Sequence, residues 1–206
     1  MLRGMKIALD LTDEQVQQMW KSAGVARWSY NYAITRAKKH YLNYLEDNTL
    51  SKTLTEGQIR KELTVLKNTT HPWLKEVGSN VIKQAVKDWN DARIRFFKGL
   101  GKAPKYKSKN ISKPSFYVNY ENLRKVNGGF RGEKLGFVKT TKPLPRIPKG
   151  SHYKNPRISF DGKYWYLSFS YEVPDISVDL KDLVIGVDLG VKNLATLSTG
   201  EFIENI

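Results

Sequence analysis

The sequence predicts an α+β chain: a helical portion first, an antiparallel β portion second, and a short strand–turn–strand segment last. Three observations carry this. Apolar residues recur at three- and four-residue steps between Val16 and Phe97. Short strand-like runs separated by Gly, Pro and Asn take over between 116 and 173. An apolar run at 183–187 then ends on an acid and a glycine-containing turn.

Taken in order, Met5 to Leu9 is a short apolar run that reads as an opening strand. Thr12 with Gln15 three residues later is a capping-box pattern, so a helix starts there. Val16, Met19, Trp20, Ala23, Arg27, Tyr30, Ile34, Ala37, Tyr41 and Leu45 continue it as a mostly apolar stripe. Gly24 lies inside that stripe at a cost of roughly 1 kcal/mol against Ala, and is expected to mark a break or a close approach of another chain. Thr55 and Gln58 repeat the capping box ahead of Ile59, Leu63 and Leu66, and His71-Pro72-Trp73 ends that helix. Ser79 opens a third, with Ile82, Ala85, Val86, Trp89, Arg93, Phe96 and Phe97 on one side and Gly99 and Gly101 at its close.

Strand-like runs follow at Phe116–Tyr120, Lys134–Val138, Pro156–Phe160 and Tyr164–Val173. Asp161-Gly162 between the last two is a hairpin signal. Residues 116–173 are therefore expected to form an antiparallel β domain closed as a small barrel. After an Asp-rich linker from Val173-Pro174, Leu183–Val187 reads as a strand ending at Asp188, with a turn through Asn193 and a returning strand at Leu194–Leu197.

Composition excludes several classes. At 206 residues, 40% hydrophobic and 12% aromatic, the chain has enough apolar content for a packed core and is neither disordered nor collagen-like. No run approaches the ~18 apolar residues of a membrane span, and Met1 to Leu11 lacks a signal-peptide core, so a cytoplasmic location is expected. Without cysteine there is no disulfide framework, thiolate zinc site or cysteine nucleophile. The net charge of +15 points to a polyanionic partner. It is unevenly placed: residues 1–150 hold 30 Lys and Arg against 12 Asp and Glu, whereas 151–206 hold 5 against 8.

From 93 to 113 come eight cations and no acid: Arg93, Arg95, Lys98, Lys102, Lys105, Lys107, Lys109 and Lys113. Tyr106, Phe116 and Tyr117 accompany them. Cations that neutralise phosphates beside rings that stack on bases suit nucleic acid; a solvated linker between two domains is the plainer alternative. Arg27 and Asn31, four apart on one helical face and flanked by Tyr30, are a second candidate contact, though a surface cation on a helix is common. Asp188 at the end of an apolar strand is costly to place unless it binds something, as a divalent metal in a ribonuclease-H-like site would require; a turn Asp capping loose N–H groups also fits. The three histidines, at 40, 71 and 152, share no metal-ligand spacing, and Gly99-Leu-Gly101-Lys102 lacks the length of a phosphate loop. A membrane-surface role is disfavoured because no helix sets a Lys-rich face against a bare apolar one.

Four blocks in order resemble the front part of transposon-encoded TnpB (OrfB) proteins: GVARWSYNYAI at 24–34, ELTVLKNTTHPWLKEVGSNVIKQAVKDWNDARIRFFKG at 62–99, PKYKSK at 104–109 and VIGVDLGVKNLATLSTGE at 184–201. That family contains RNA-guided DNA endonucleases related to the type V CRISPR effectors, carries a domain named helix-turn-helix, and is prokaryotic and nucleoid-associated when bound to DNA. The resemblance implies the first strand of a wedge β-barrel at 1–10, a helical recognition domain inserted at 11–100, the basic loop and rest of the wedge at 101–180, and the start of an incomplete RuvC-like nuclease domain at 181–206. It implies that Asp188 matches the first catalytic carboxylate, a Mg²⁺ ligand, and that the basic and aromatic surfaces hold guide RNA and target DNA by backbone and shape.

The departure is equally specific. The family's nuclease needs a later Glu, a final Asp and a Cys-rich zinc ribbon, whereas the sequence ends 18 residues after Asp188, has no Cys, and offers in Glu201 and Glu204 no fit to those roles. The chain is therefore expected not to cut DNA by itself and to need the remaining nuclease part as a partner. A standalone DNA- or RNA-binding relic that represses or regulates is the alternative, with salt-sensitive binding and no Mg²⁺ requirement.

Overall fold

The computed structural model describes residues 1–174 and 184–205, in two compact units, Met1–Val173 and Pro174–Ile206. Helix α1 spans Asp13–Glu46, α2 Glu56–Asn68 and α3 Ser79–Phe97. Both capping boxes form: the Thr12 and Thr55 side chains accept from the backbone N–H of Gln15 and Gln58, and the backbone N–H of each Thr donates back to the Gln side-chain oxygen. α3 starts at Gly78 with no side-chain cap and stops in a Schellman turn: Gly99, at φ 71°, donates to Phe96 O, and Leu100 donates to Arg95 O.

α1 runs straight through Gly24, where an added Cβ would meet nothing within 4 Å. The expected break is absent among the described residues. Burial on α1 ends at Ile34, and the stripe's last members, Tyr41 and Leu45, are exposed, as are Phe96 and Phe97 on α3. The helices outrun the core at this end: apolar spacing continues past the surface available to cover it.

The first unit carries one antiparallel sheet. In chain order its strands are β1 (Leu2–Asp10), β2 (Ser115–Tyr117), β3 (Arg124–Val126), β4 (Gly129–Gly132), β5 (Gly136–Thr140), β6 (Lys154–Phe160) and β7 (Trp165–Glu172), arranged β2-β6-β7-β1-β5-β4-β3. β1 is shared between two half-sheets: Leu2 to Ala8 pair with β7, and Leu9 and Asp10 pair with Thr140 and Lys139 of β5. Asp161 turns the β6–β7 hairpin by accepting from the N–H groups of Lys163 and Tyr164 at 3.0 and 2.8 Å, which holds its carboxyl down to about 2.

The sheet is open. β2 and β3 stand at its two edges and no ladder joins them, so the expected barrel does not close among the described residues. Both edge strands are three residues long, and the chain between them leaves strand geometry through a 3₁₀ turn at Tyr120–Asn122. A closed barrel needs a continuous staggered register across that seam. The strand expected at Phe116–Tyr120 is shortened by the same turn. β3 and β4 were not expected. Arg124-Lys125 hides the first, and two glycines disguise the second, although a Cβ on Gly129 would collide with Val138 O of β5.

One apolar core joins helices and sheet: Met19, Ile59, Leu63, Leu74 and Val86 on the helical side meet Ile7, Phe130, Val138, Ile158 and Leu167 on the sheet. Trp20 packs edge-on to Phe160 and Trp165 at 5.0 and 5.1 Å. No helix among the described residues is long and apolar enough to cross a membrane.

The second unit holds a three-stranded antiparallel sheet, β10-β9-β8, formed by β8 (Val187–Asp188), β9 (Asn193–Leu197) and β10 (Phe202–Glu204). Leu183 and the expected linker at 175–182 lie outside the described residues.

Candidate nucleic-acid interface

The basic stretch is fixed to α1 most closely at Lys107. The Asn31 amide nitrogen donates to Lys107 O at 2.9 Å, and Lys107 N–H donates to the Asn31 Oδ1 at 2.8 Å. This reciprocal pair satisfies both backbone groups of Lys107, as a strand partner would. The Lys107 ammonium then lies 4.1 Å from the centre of the buried Tyr30 ring. Burial pushes the Tyr30 phenol up and the Lys107 ammonium down from their ordinary values.

Further along the same helix face, Thr35 Oγ1 meets the Tyr106 hydroxyl at 3.2 Å, and Lys38 Nζ stands 4.9 Å from the Tyr106 ring. Arg27, Asn31, Thr35 and Lys38 thus form one stripe at helical spacing against the basic loop. Thr35 and Lys38 escaped sequence reasoning, but that spacing could have found them.

The predicted residues divide by what they touch. Tyr30 and Asn31 hold the loop. Arg93 is engaged inside the fold, donating to Leu54 O at 2.9 Å and Asn90 Oδ1 at 2.8 Å with its guanidinium 4.7 Å from the Trp89 ring centre. Arg95, Lys98, Lys102, Lys105, Tyr106, Lys109 and Lys113 are exposed, and Arg27 is half-buried beside them. Beneath this surface Arg157 of β6 makes a two-pronged bond to Asp88 of α3 at 2.9 and 2.7 Å, bracing helix layer to sheet.

Beyond Lys38, the exposed ends of α1 and α3 and the loop enclose an apolar groove of about 460 Å³. Tyr41, Phe96 and Phe97 line it, with Lys38, Lys52 and Arg93 as cations, and Phe97 is 73% exposed. Aromatic faces among cations suit stacked bases.

Asp188 sits elsewhere in kind. It pairs with Thr196 across β8 and β9, and both residues of β8 are exposed. The expectation of a buried strand ending at this acid is not met: among the unit's described residues only Ala195 is buried, because three short strands cannot cover a face of their own sheet. Among the described residues no group of three or more His, Cys, Asp or Glu could hold a metal ion.

Comparison with known proteins bears on this arrangement. A family model described as a helix-turn-helix domain, that of the OrfB proteins of IS605 elements, matches residues 1–44. A Streptomyces pristinaespiralis protein that bears the provisional name RNA-guided DNA endonuclease is 29% identical over 98% of this chain and 50% of its own length. The chain is TnpB-like in sequence. InsQ of Escherichia coli K12, named provisionally in the same way, is 27% identical over 100% of this TnpB-like chain and 49% of its own length. The chain therefore spans about half the length of the curated relatives it matches. A chain of a Cas12f1–sgRNA–target DNA complex aligns with a TM-score of 0.42 at 12% identity, over 96% of this chain and 54% of that one. In the TnpB-like chain the residues matched by the helix-turn-helix model fold as β1 and most of one unbroken helix, α1.

Proposed function

We propose that this chain is the gripping portion of a TnpB-like RNA-guided DNA endonuclease, holding a guide RNA and its DNA heteroduplex by backbone and shape while base pairing reads sequence. The observation that supports it most is the exposed, acid-free cationic stretch held at Lys107 by Asn31 and Tyr30, in a chain matched end to end by two relatives bearing that name. The proposed division keeps 1–10 and 101–180 as a wedge-type β domain around the helical domain at 11–100, with 181–206 opening a RuvC-like domain. Binding places the protein in the cytoplasm, on the nucleoid when DNA is held.

Asp188 is proposed as the first carboxylate of the nuclease. A hard cation such as Mg²⁺ takes six oxygen ligands, of which two-metal sites share several between carboxylates. A lone exposed carboxylate does not fit that demand, so no cleavage step is assigned to the described residues.

Purification from a native host and sequencing of the bound RNA tests the reading. A discrete structured RNA carrying a transposon-end sequence, bound with an affinity that falls steeply with salt, is expected. Random RNA without enrichment would leave a general polyanion binder, and salt-insensitive binding would overturn the proposal.

A further inference from the structure

Five arginines are half-buried in the described residues: Arg27, Arg36, Arg60, Arg93 and Arg157. Four of them have acceptors. Arg36 is paired with Glu62, Arg60 with Glu56, Arg157 with Asp88, and Arg93 donates to Leu54 O and Asn90 Oδ1. Arg27 alone has no hydrogen-bond or ion-pair partner among the described residues. No nitrogen of Arg27 is buried away from solvent, so its five donors stay open to an acceptor that arrives from outside.

The cleft it lines shows what that acceptor is. Lys107 and Lys113 share the cleft, together with the hydroxyl residues Ser112 and Ser115, and no acid lines it. Asp88, whose field reaches Lys107, is already held in its two-pronged bond to Arg157. The space is about 20 Å³, room for one water-sized group and too little for a whole phosphate ion. A single oxygen can enter while the rest of its phosphate stays at the mouth, as on a polymer backbone.

Gly24 is a second feature of this part of α1. It lies one turn before Arg27 on α1, in a helix interior that Ala would favour, and the protein places nothing within 4 Å of where its Cβ would be. A glycine that no neighbour requires leaves the helix backbone open to close approach from outside.

We propose that the cleft between α1 and the basic loop seats one non-bridging oxygen of a nucleic-acid backbone phosphate, with Arg27, Lys107 and Lys113 as its cationic wall and Gly24 as the point of closest approach. This rests on the nucleic-acid-binding reading above and gives it a first specific contact. Arg27 supplies a forked donor, Lys113 a mobile charge at the mouth, and Lys107, immobilised by Asn31, a fixed one.

The test measures anisotropy of a fluorescein-labelled single-stranded RNA of about 20 nucleotides, with the full chain, over a series of KCl concentrations. Arg27→Gln is expected to weaken binding about ten-fold at ~0.1 M salt and to lower the salt slope by about 0.7, the loss of one phosphate contact. Lys75→Gln, an exposed cation on the turn Pro72–Glu76, changes the net charge equally and should stay within about two-fold of the parent. Arg27→Lys should restore the slope but only part of the affinity, since it lacks the fork. Gly24→Ala should melt no lower than the parent and yet bind more weakly. The inference is overturned if the parent binds with its full salt slope and Arg27→Gln behaves as Lys75→Gln does. It is also overturned if inorganic phosphate, at matched ionic strength, binds the parent and not Arg27→Gln while leaving RNA affinity unchanged, which would assign the cleft to the free ion. A parent without salt-dependent binding sinks the underlying reading and this contact together.

Discussion

Replacing Asn31 with Ala tests whether the basic loop is held or merely tethered. The substitution removes the bonds to Lys107 O and from Lys107 N–H, at 2.9 and 2.8 Å. Each such bond contributes about 0.5–1.5 kcal/mol net, so the pair contributes roughly 1–3 kcal/mol. Ala is the better helix former by up to about 0.7 kcal/mol, which offsets part of that loss. The expected cost is therefore about 1–2 kcal/mol, or on the order of 2–6 °C in melting temperature for a unit of this size. The local effect exceeds the global one. Lys107 also loses the register that puts its ammonium over Tyr30, so Lys102, Lys105, Lys107 and Lys109 become trypsin sites. Limited proteolysis with mass spectrometry reads this directly: the variant should be cut within 102–109 at least several-fold faster than the parent, while cuts in α2 are unchanged. Asn31→Asp keeps an acceptor for Lys107 N–H but no donor for Lys107 O and should fall between the two. Equal cutting of parent and Asn31→Ala, with an unchanged melting temperature, would refute the account.

Gly129→Ala drives a methyl group into Val138 O and should cost about 2 kcal/mol or more, read as a lower urea midpoint; an unchanged midpoint would contradict the tight β4–β5 approach. The Tyr32 phenol is pushed up to about 12 by burial and by donating to Glu62 at 2.9 Å. A raised folded-state value means that its contribution is complete below about pH 10 and is lost as pH climbs through 12. Ultraviolet difference titration should show Tyr32 among several late tyrosines, one of which moves toward the ordinary range in Glu62→Gln, and no movement would show the shift has another origin. Where the later carboxylates of a nuclease are supplied, Asp188→Ala should abolish Mg²⁺-dependent cleavage and leave RNA binding within about two-fold; a variant that still cuts would remove Asp188 from the site.

What was legible in the sequence was whatever has a local cause. The boxes at Thr12 and Thr55 use side chains three residues apart, the stop after Phe97 needs a glycine at φ 71°, and the β6–β7 turn needs Asp161-Gly162. What was not legible depended on distant partners. Gly129 reads as a loop residue until Val138 is beside it, and nothing in 116–126 announces that the two edge strands fail to meet. The candidate site shows the same division. Its charge was plain in the composition, but the roles were not: Asn31 and Arg93 look like contacts in a linear reading and act as a clamp and a brace. Their partners, Lys107 and Leu54, lie 76 and 39 residues away.

The divided pairing of β1 also sets an order of events during synthesis. This strand is made before the other elements of the first unit, and its partners β5 and β7 are made more than a hundred residues later. At about 5–20 residues per second that interval is on the order of ten to thirty seconds. The three helices, whose caps are local, can assemble within it, while the short ladder on β1 must wait for Gly136–Thr140 and the long one for the hairpin at Asp161. During that interval the first unit carries an unpaired strand tethered to a helical scaffold, and the step that seals this unit is the arrival of β7, not of β1.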